Sequence, residues 1–133
     1  MRISATVRNT PTAHDVAVRT ASASQSLTVA TKAGGRGSAV NGGEFLMLAL
    51  ATCYCNDLFR EAARLGIAID AVEVEASAEF AGVGLAASHI EYRANVQSSS
   101  ASPADVQRLL RETDAVAEVH NTVRAGVPVE LRT

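Results

Sequence analysis

The chain has 133 residues and a formal net charge of -2, with 47% hydrophobic residues, only 4% aromatic ones and no Trp. That length suits one domain, the near-neutral balance excludes a strongly basic nucleic-acid surface, and the core must be built from Ala, Val, Leu and Ile. Residues 2–8 and 14–20 alternate Val, Ile and Thr with polar residues around Asn9, Thr10 and Pro11, which predicts a β-hairpin with a longer loop. A third short strand is expected over 26–30. Gly34, Gly35, Arg36, Gly37 and Ser38 follow, but no Lys-Ser/Thr pair completes a phosphate cradle, so they form a strand-to-helix connection.

Residues 44–65 lack Gly and Pro and are rich in Leu and Ala, which predicts a long helix closed by Gly66. Its first half is apolar on every face and is expected to start inside the core. Asp57, Arg60, Glu61 and Arg64 give the second half a polar side that reaches solvent. Residues 69–80 and 87–97 alternate around a turn at Gly82–Gly84 and predict an antiparallel hairpin with one wet face. Ser102 and Pro103 open a second helix that runs to about Val116, with Leu109, Leu110, Thr113, Val116 and Ala117 on its buried side. A third short helix is expected over 118–125, ended by Gly126, and a last strand over 127–131. No repeat and no second domain are evident, so residues 1–133 form a single domain. No segment approaches the roughly 20 apolar residues that span a bilayer, and no leader pattern is present, so no membrane association is expected.

Cys53 and Cys55 carry the reactive chemistry. Their adjacency in an apolar run does not match the framework of a disulfide-rich secreted domain, and it points to a reducing, cytoplasmic setting. On a helix the two thiols point about 200° apart, so they are not a redox pair. Cys53 is read either as a buried small hydrophobe or as a nucleophile. Asn41 and Glu44 have the spacing of a capping box, and Glu44 lies about 13 Å along the helix from Cys53, too far to activate it directly. His14, His89 and His120 are dispersed with no acid or thiol at ligand spacing, so no metal site and no cofactor is expected. His120 either lines the thiol pocket or packs against a helix surface.

Asn41 to Cys53 and Val119 to Leu131, set in this order of elements, resemble the OsmC-like family, which includes the osmotically inducible protein C and organic hydroperoxide resistance branches. The resemblance implies an α+β fold, with antiparallel sheets and a long central helix, in an intertwined homodimer with active sites at the subunit interface. It implies that Cys53 attacks a hydroperoxide and becomes a sulfenic acid, assisted by an acid at the helix start and a cation from the N-terminal strands. The acid position of the broader OsmC-like branch falls on Glu44, whereas that of the peroxidases falls on Gly43. The cation position aligns with His14, and Arg19 follows a few residues later. The family's second cysteine is replaced by Ala117, so an external thiol would have to resolve the sulfenic acid. Two functions are expected from this pattern. One is reduction of organic or lipid-like hydroperoxides through Cys53, and the other is non-catalytic binding of a small hydrophobic ligand in an interface pocket.

Overall fold

In the computed structural model, which describes residues 1–133, the alternating N-terminal residues pair as β1 (Ile3–Asn9) and β2 (His14–Thr20). Ile3 lies opposite Thr20 and Asn9 opposite His14. β3 (Ala23–Leu27) completes a three-stranded antiparallel sheet in the order β1-β2-β3. It starts three residues before the expected 26–30. Thr20 pairs with Ala23, so Ala21 and Ser22 alone make the turn, and Ala21 adopts a left-handed φ of 52°. Two-residue hairpin turns need that conformation, which Gly or Asn ordinarily signals and Ala does not. Ala21→Gly is therefore expected to raise stability by about 0.5–1 kcal/mol, read as a higher urea midpoint at unchanged slope.

The chain divides into two compact units, Met1–Phe45 and Leu46–Thr133. α1 (Gly42–Leu65) begins at the end of the first unit and continues through the second. Its start is the expected capping box: the Glu44 N–H donates to Asn41 Oδ1 at 2.9 Å, and the Asn41 N–H donates to Glu44 Oε2 at 2.8 Å. Its end is a Schellman motif, with Gly66 at φ 70° and the Ile67 N–H donating to the Ala62 carbonyl at 2.8 Å.

In the second unit, β4 (Ala71–Phe80) and β5 (Ala87–Gln97) form the expected hairpin. Glu73, Glu75, Glu91 and Arg93 face water, while Val72, Val74, Tyr92, Ala94 and Val96 turn inward against Tyr54, Leu58 and Ala62 of α1 and Leu109 of α2 (Pro103–Val116). Leu58 and Leu109 are completely buried, each contributing roughly 1.5–3 kcal/mol. Ser102 and Asp105 cap α2 reciprocally, as Ser102 and Pro103 forecast.

The core thus forms on the second half of α1, contrary to the expectation that the helix starts in the core and emerges from it. Phe45, Leu46 and Met47 are only half-buried and Leu48 is 56% exposed. The hairpin and α2 supply a wall for the stripe Tyr54, Leu58, Ala62, whereas a half-helix that is apolar all round needs cover on every side. The polar side is likewise not simply solvated: Asp57 and Glu61 are buried and paired with arginines. Val116, placed on the buried side of α2, is exposed.

α3 (Glu118–Ala125) follows α2 directly, and Gly126 caps it in the left-handed region at φ 61°. The strand expected over 127–131 does not form. Pro128 lacks an N–H for a ladder, and Val127, Val129 and Leu131 are exposed beyond the helix. No helix of the chain is long and apolar enough to cross a membrane.

Candidate functional site

Cys53 sits midway along α1, half-buried, with its thiol free. Four residues on, Asp57 occupies the same face, and the Cys53 S–H donates to Asp57 Oδ2 at 3.6 Å. The other Asp57 oxygen, Oδ1, is held by Arg60 Nη1 at 2.7 Å. The start of α3 arrives from the opposite side. It brings Glu118 Oε2 to 3.9 Å from the sulfur and sets the Val119 backbone N–H beside it. α3 has no side-chain cap, because Ala117 occupies the N-cap. The Cys53 sulfur thus lies at a helix start whose first N–H groups have no side-chain cap.

The balance of forces on the thiol follows from these contacts. Burial pushes its pKa up, the Val119 N–H pulls it down, and the Asp57 and Glu118 carboxylates push it up again, leaving it above the ordinary thiol value. Asp57 is also raised, by burial first and by Glu118, against the opposing pull of Arg60. Arg60 further contacts Glu61 at 3.3 Å and Glu118 at 3.9 Å. Possible ligand atoms of Cys53, Asp57 and Glu118 lie within 4.8 Å of one another, close enough to hold a metal ion, although Arg60 already neutralises Asp57. The expectation of no metal site rested on the scattered histidines, and this set contains none of them.

His120 is 3% exposed, and the cavity it lines does not include Cys53. Its ring packs between Tyr92, with centroids 4.4 Å apart, and Tyr54, at 5.7 Å, and neither nitrogen finds a partner in the chain. Burial, followed by Arg124, lowers its pKa and keeps it neutral near pH 7. With Leu50, Ile90, Tyr92, Val123 and Arg124 it lines a cavity of about 100 Å³. Tyr92 donates its hydroxyl to Asp114, which also binds Arg124 at 2.6 Å.

The other sequence candidates lie in the first unit. Glu44 is engaged at the start of α1, nine residues before Cys53. His14 Nδ1 meets Asn9 Nδ2 at 3.1 Å, and Asn9 Oδ1 in turn accepts from Arg36 Nε at 2.7 Å. Arg19 is exposed on β2 opposite Ser4 and Ser24. The sequence reading missed Asp57, Arg60 and Glu118. The first two were signalled by spacing, since Asp57 is four residues after Cys53 and Arg60 three after Asp57, which places all three on one helix face. Glu118 carried no such signal, because it reaches the thiol from another helix.

The family profile described as OsmC-like protein matches residues 35–132. The chain belongs to the OsmC-like family. Solved structures show the same α+β fold. An organic hydroperoxide resistance protein from Elizabethkingia anophelis is 17% identical, with a TM-score of 0.63 over 98% of this chain and 94% of that one. An OsmC-like protein from Mycoplasma pneumoniae is 16% identical, with a TM-score of 0.62 over 92% and 86%. The organic hydroperoxide resistance protein OhrB of Bacillus subtilis is 19% identical, with a TM-score of 0.57 over 98% and 96%. A search of curated protein sequences gives no match. In this OsmC-like chain Ala117 is fully buried and immediately precedes Glu118, the residue that meets the Cys53 sulfur.

Proposed function

We propose that this OsmC-like protein reduces organic or lipid-like hydroperoxides through Cys53 as a cytoplasmic homodimer, with an external thiol returning the sulfenic acid to the thiol. The observation that carries this reading is the free, half-buried Cys53 thiol set against the uncapped start of α3, hydrogen-bonded to Asp57 and within 3.9 Å of Glu118. A helix N-terminus favours an anion, and it serves first the thiolate and then the sulfenate. The apolar run Phe45 to Ala51 ahead of Cys53 on α1 suits an organic substrate better than hydrogen peroxide. Ala117 in place of the second cysteine leaves resolution to another molecule. The names of the Elizabethkingia and Bacillus structures support the substrate class. The exposed apolar side of α1 at Leu48 supports a second copy of the chain as partner.

The two carboxylates beside the sulfur, which oppose a thiolate, favour the second reading: a dimer that binds a small hydrophobic ligand without turning it over. The test is incubation with cumene hydroperoxide and a sulfenic-acid trap. Wild type and Cys55→Ser are expected to form an adduct and consume the peroxide, and Cys53→Ser is expected to form none. Wild type that stays unlabelled, or a Cys53→Ser variant labelled as well as wild type, would overturn the peroxidase reading and leave binding in its place.

A further inference from the structure

We propose, on the reading that Cys53 reduces a hydroperoxide, that Asp57 is the acid–base partner of that reaction, taking the thiol proton and returning it to the leaving alkoxide. The geometry is that of a hydrogen-bonded nucleophile and base on one helix face: the Cys53 S–H points to Asp57 Oδ2 at 3.6 Å, while Arg60 fixes Oδ1 at 2.7 Å and leaves Oδ2 free for the thiol. Asp57 is 5% exposed, so it exchanges its proton with the thiol more readily than with bulk water. The charged groups around the pair are Arg60 and Glu61 on α1 and Glu118 on α3, with neutral His120 farther along α3.

The step balances without a further reagent. The proton leaves Cys53 for Asp57 Oδ2, and the sulfur lone pair attacks the hydroperoxide oxygen that carries hydrogen. An S–O bond forms as the O–O bond breaks, and the departing alkoxide takes the proton from Asp57. The products are an alcohol and Cys53 sulfenic acid. Sulfur has lost two electrons to the peroxide, and Asp57 is again a carboxylate. One external thiol then condenses with the sulfenic acid, losing water and leaving a mixed disulfide, and a second external thiol displaces Cys53 as the free thiol and departs as the external disulfide. The raised pKa of Asp57 narrows its gap to the thiol, which makes it a stronger base than an exposed carboxylate.

Charge and proton transfer make opposite forecasts for Asp57→Asn. Removing a negative charge favours the thiolate, so alkylation by iodoacetamide, which needs no returned proton, is expected to rise roughly fivefold at pH 7. Removing the acid–base group is expected to slow sulfenic-acid formation from cumene hydroperoxide about 100-fold. Glu118→Gln, at an exposed side chain farther from the sulfur, is expected to raise both rates. A measurement on the wild type needs no folded variant: its hydroperoxide rate is expected to stay level between about pH 6 and 8 while alkylation climbs with pH. Asp57→Asn with both rates rising together, or a wild-type hydroperoxide rate that climbs in step with alkylation, would overturn the assignment. Absence of any sulfenic acid in wild type across the pH range would instead overturn the hydroperoxide reading beneath it.

Discussion

Alkylation of Cys53 is expected to climb throughout pH 7 to 9, about tenfold over the first unit, with no plateau in that range. The thiolate is the reacting form, and burial, Asp57 and Glu118 together outweigh the Val119 N–H, so the thiol is mostly protonated at neutral pH. Iodoacetamide labelling at fixed times, resolved by mass spectrometry of the Cys53 peptide, reads this directly. A rate that levels off below pH 8 would show that the carboxylates are screened and that the sulfur is already ionised. The same shift bears on stability. A thiol with a pKa higher in the folded chain than in the unfolded one contributes stability that is present below the unfolded value and lost as pH rises through the folded one. Unfolding midpoints are therefore expected to decline as pH passes 9.0, the ordinary thiol value. Tyr54, pushed up to about 12 by burial and by Asp114, acts in the same direction at higher pH.

Leu58→Ala is expected to cost about 3–4 kcal/mol, whereas Phe59→Ala, one residue away, is expected to cost less than about 1 kcal/mol. Leu58 is fully buried against Leu109, Tyr54 and the inward face of β4 and β5, and its removal leaves a void that these elements cannot all close. Phe59 is larger but 50% exposed, on the other side of α1. Urea titration monitored by circular dichroism measures both changes. Since a domain of this size holds roughly 5–15 kcal/mol in total, Leu58→Ala should be visibly closer to unfolding at 37 °C. Equal losses at the two positions would mean that the side of α1 carrying Phe59 is covered in solution.

The elements that were legible in the sequence are those whose ends carry their own chemistry. Asn41 with Glu44, Gly66, Ser102 with Asp105, and Gly126 each mark a helix end by a local hydrogen bond or a left-handed backbone, and all are found where the residues place them. The hairpin of β4 and β5 was legible because one face is wet and the other dry. What failed depended on distant partners or on an unmarked backbone state. The turn at Ala21 uses a left-handed φ without the residue that advertises it, and Val127–Leu131 alternates like a strand without a ladder in its own chain. Cys53 was legible as the thiol of interest, but its surroundings were only half so. Asp57 and Arg60 were read as a solvated surface because charge on a helix usually means exposure, while Glu118 and Val119 come from a helix 65 residues away that no spacing rule connects to Cys53.

α3 is eight residues long and its N-cap is an alanine, so its first turn has no side-chain cap. Its later residues are held by His120 against Tyr54 and Tyr92 and by Arg124 on Asp114, while its start meets the Cys53 sulfur through Glu118. Whatever changes the size or charge of that sulfur, whether alkylation, oxidation or loss of its proton, also acts on Glu118 at the start of α3. A chemical event at Cys53 therefore has a mechanical address in the fold, and the segment that ends in the exposed Val127, Val129 and Leu131 is the part of the chain attached to it.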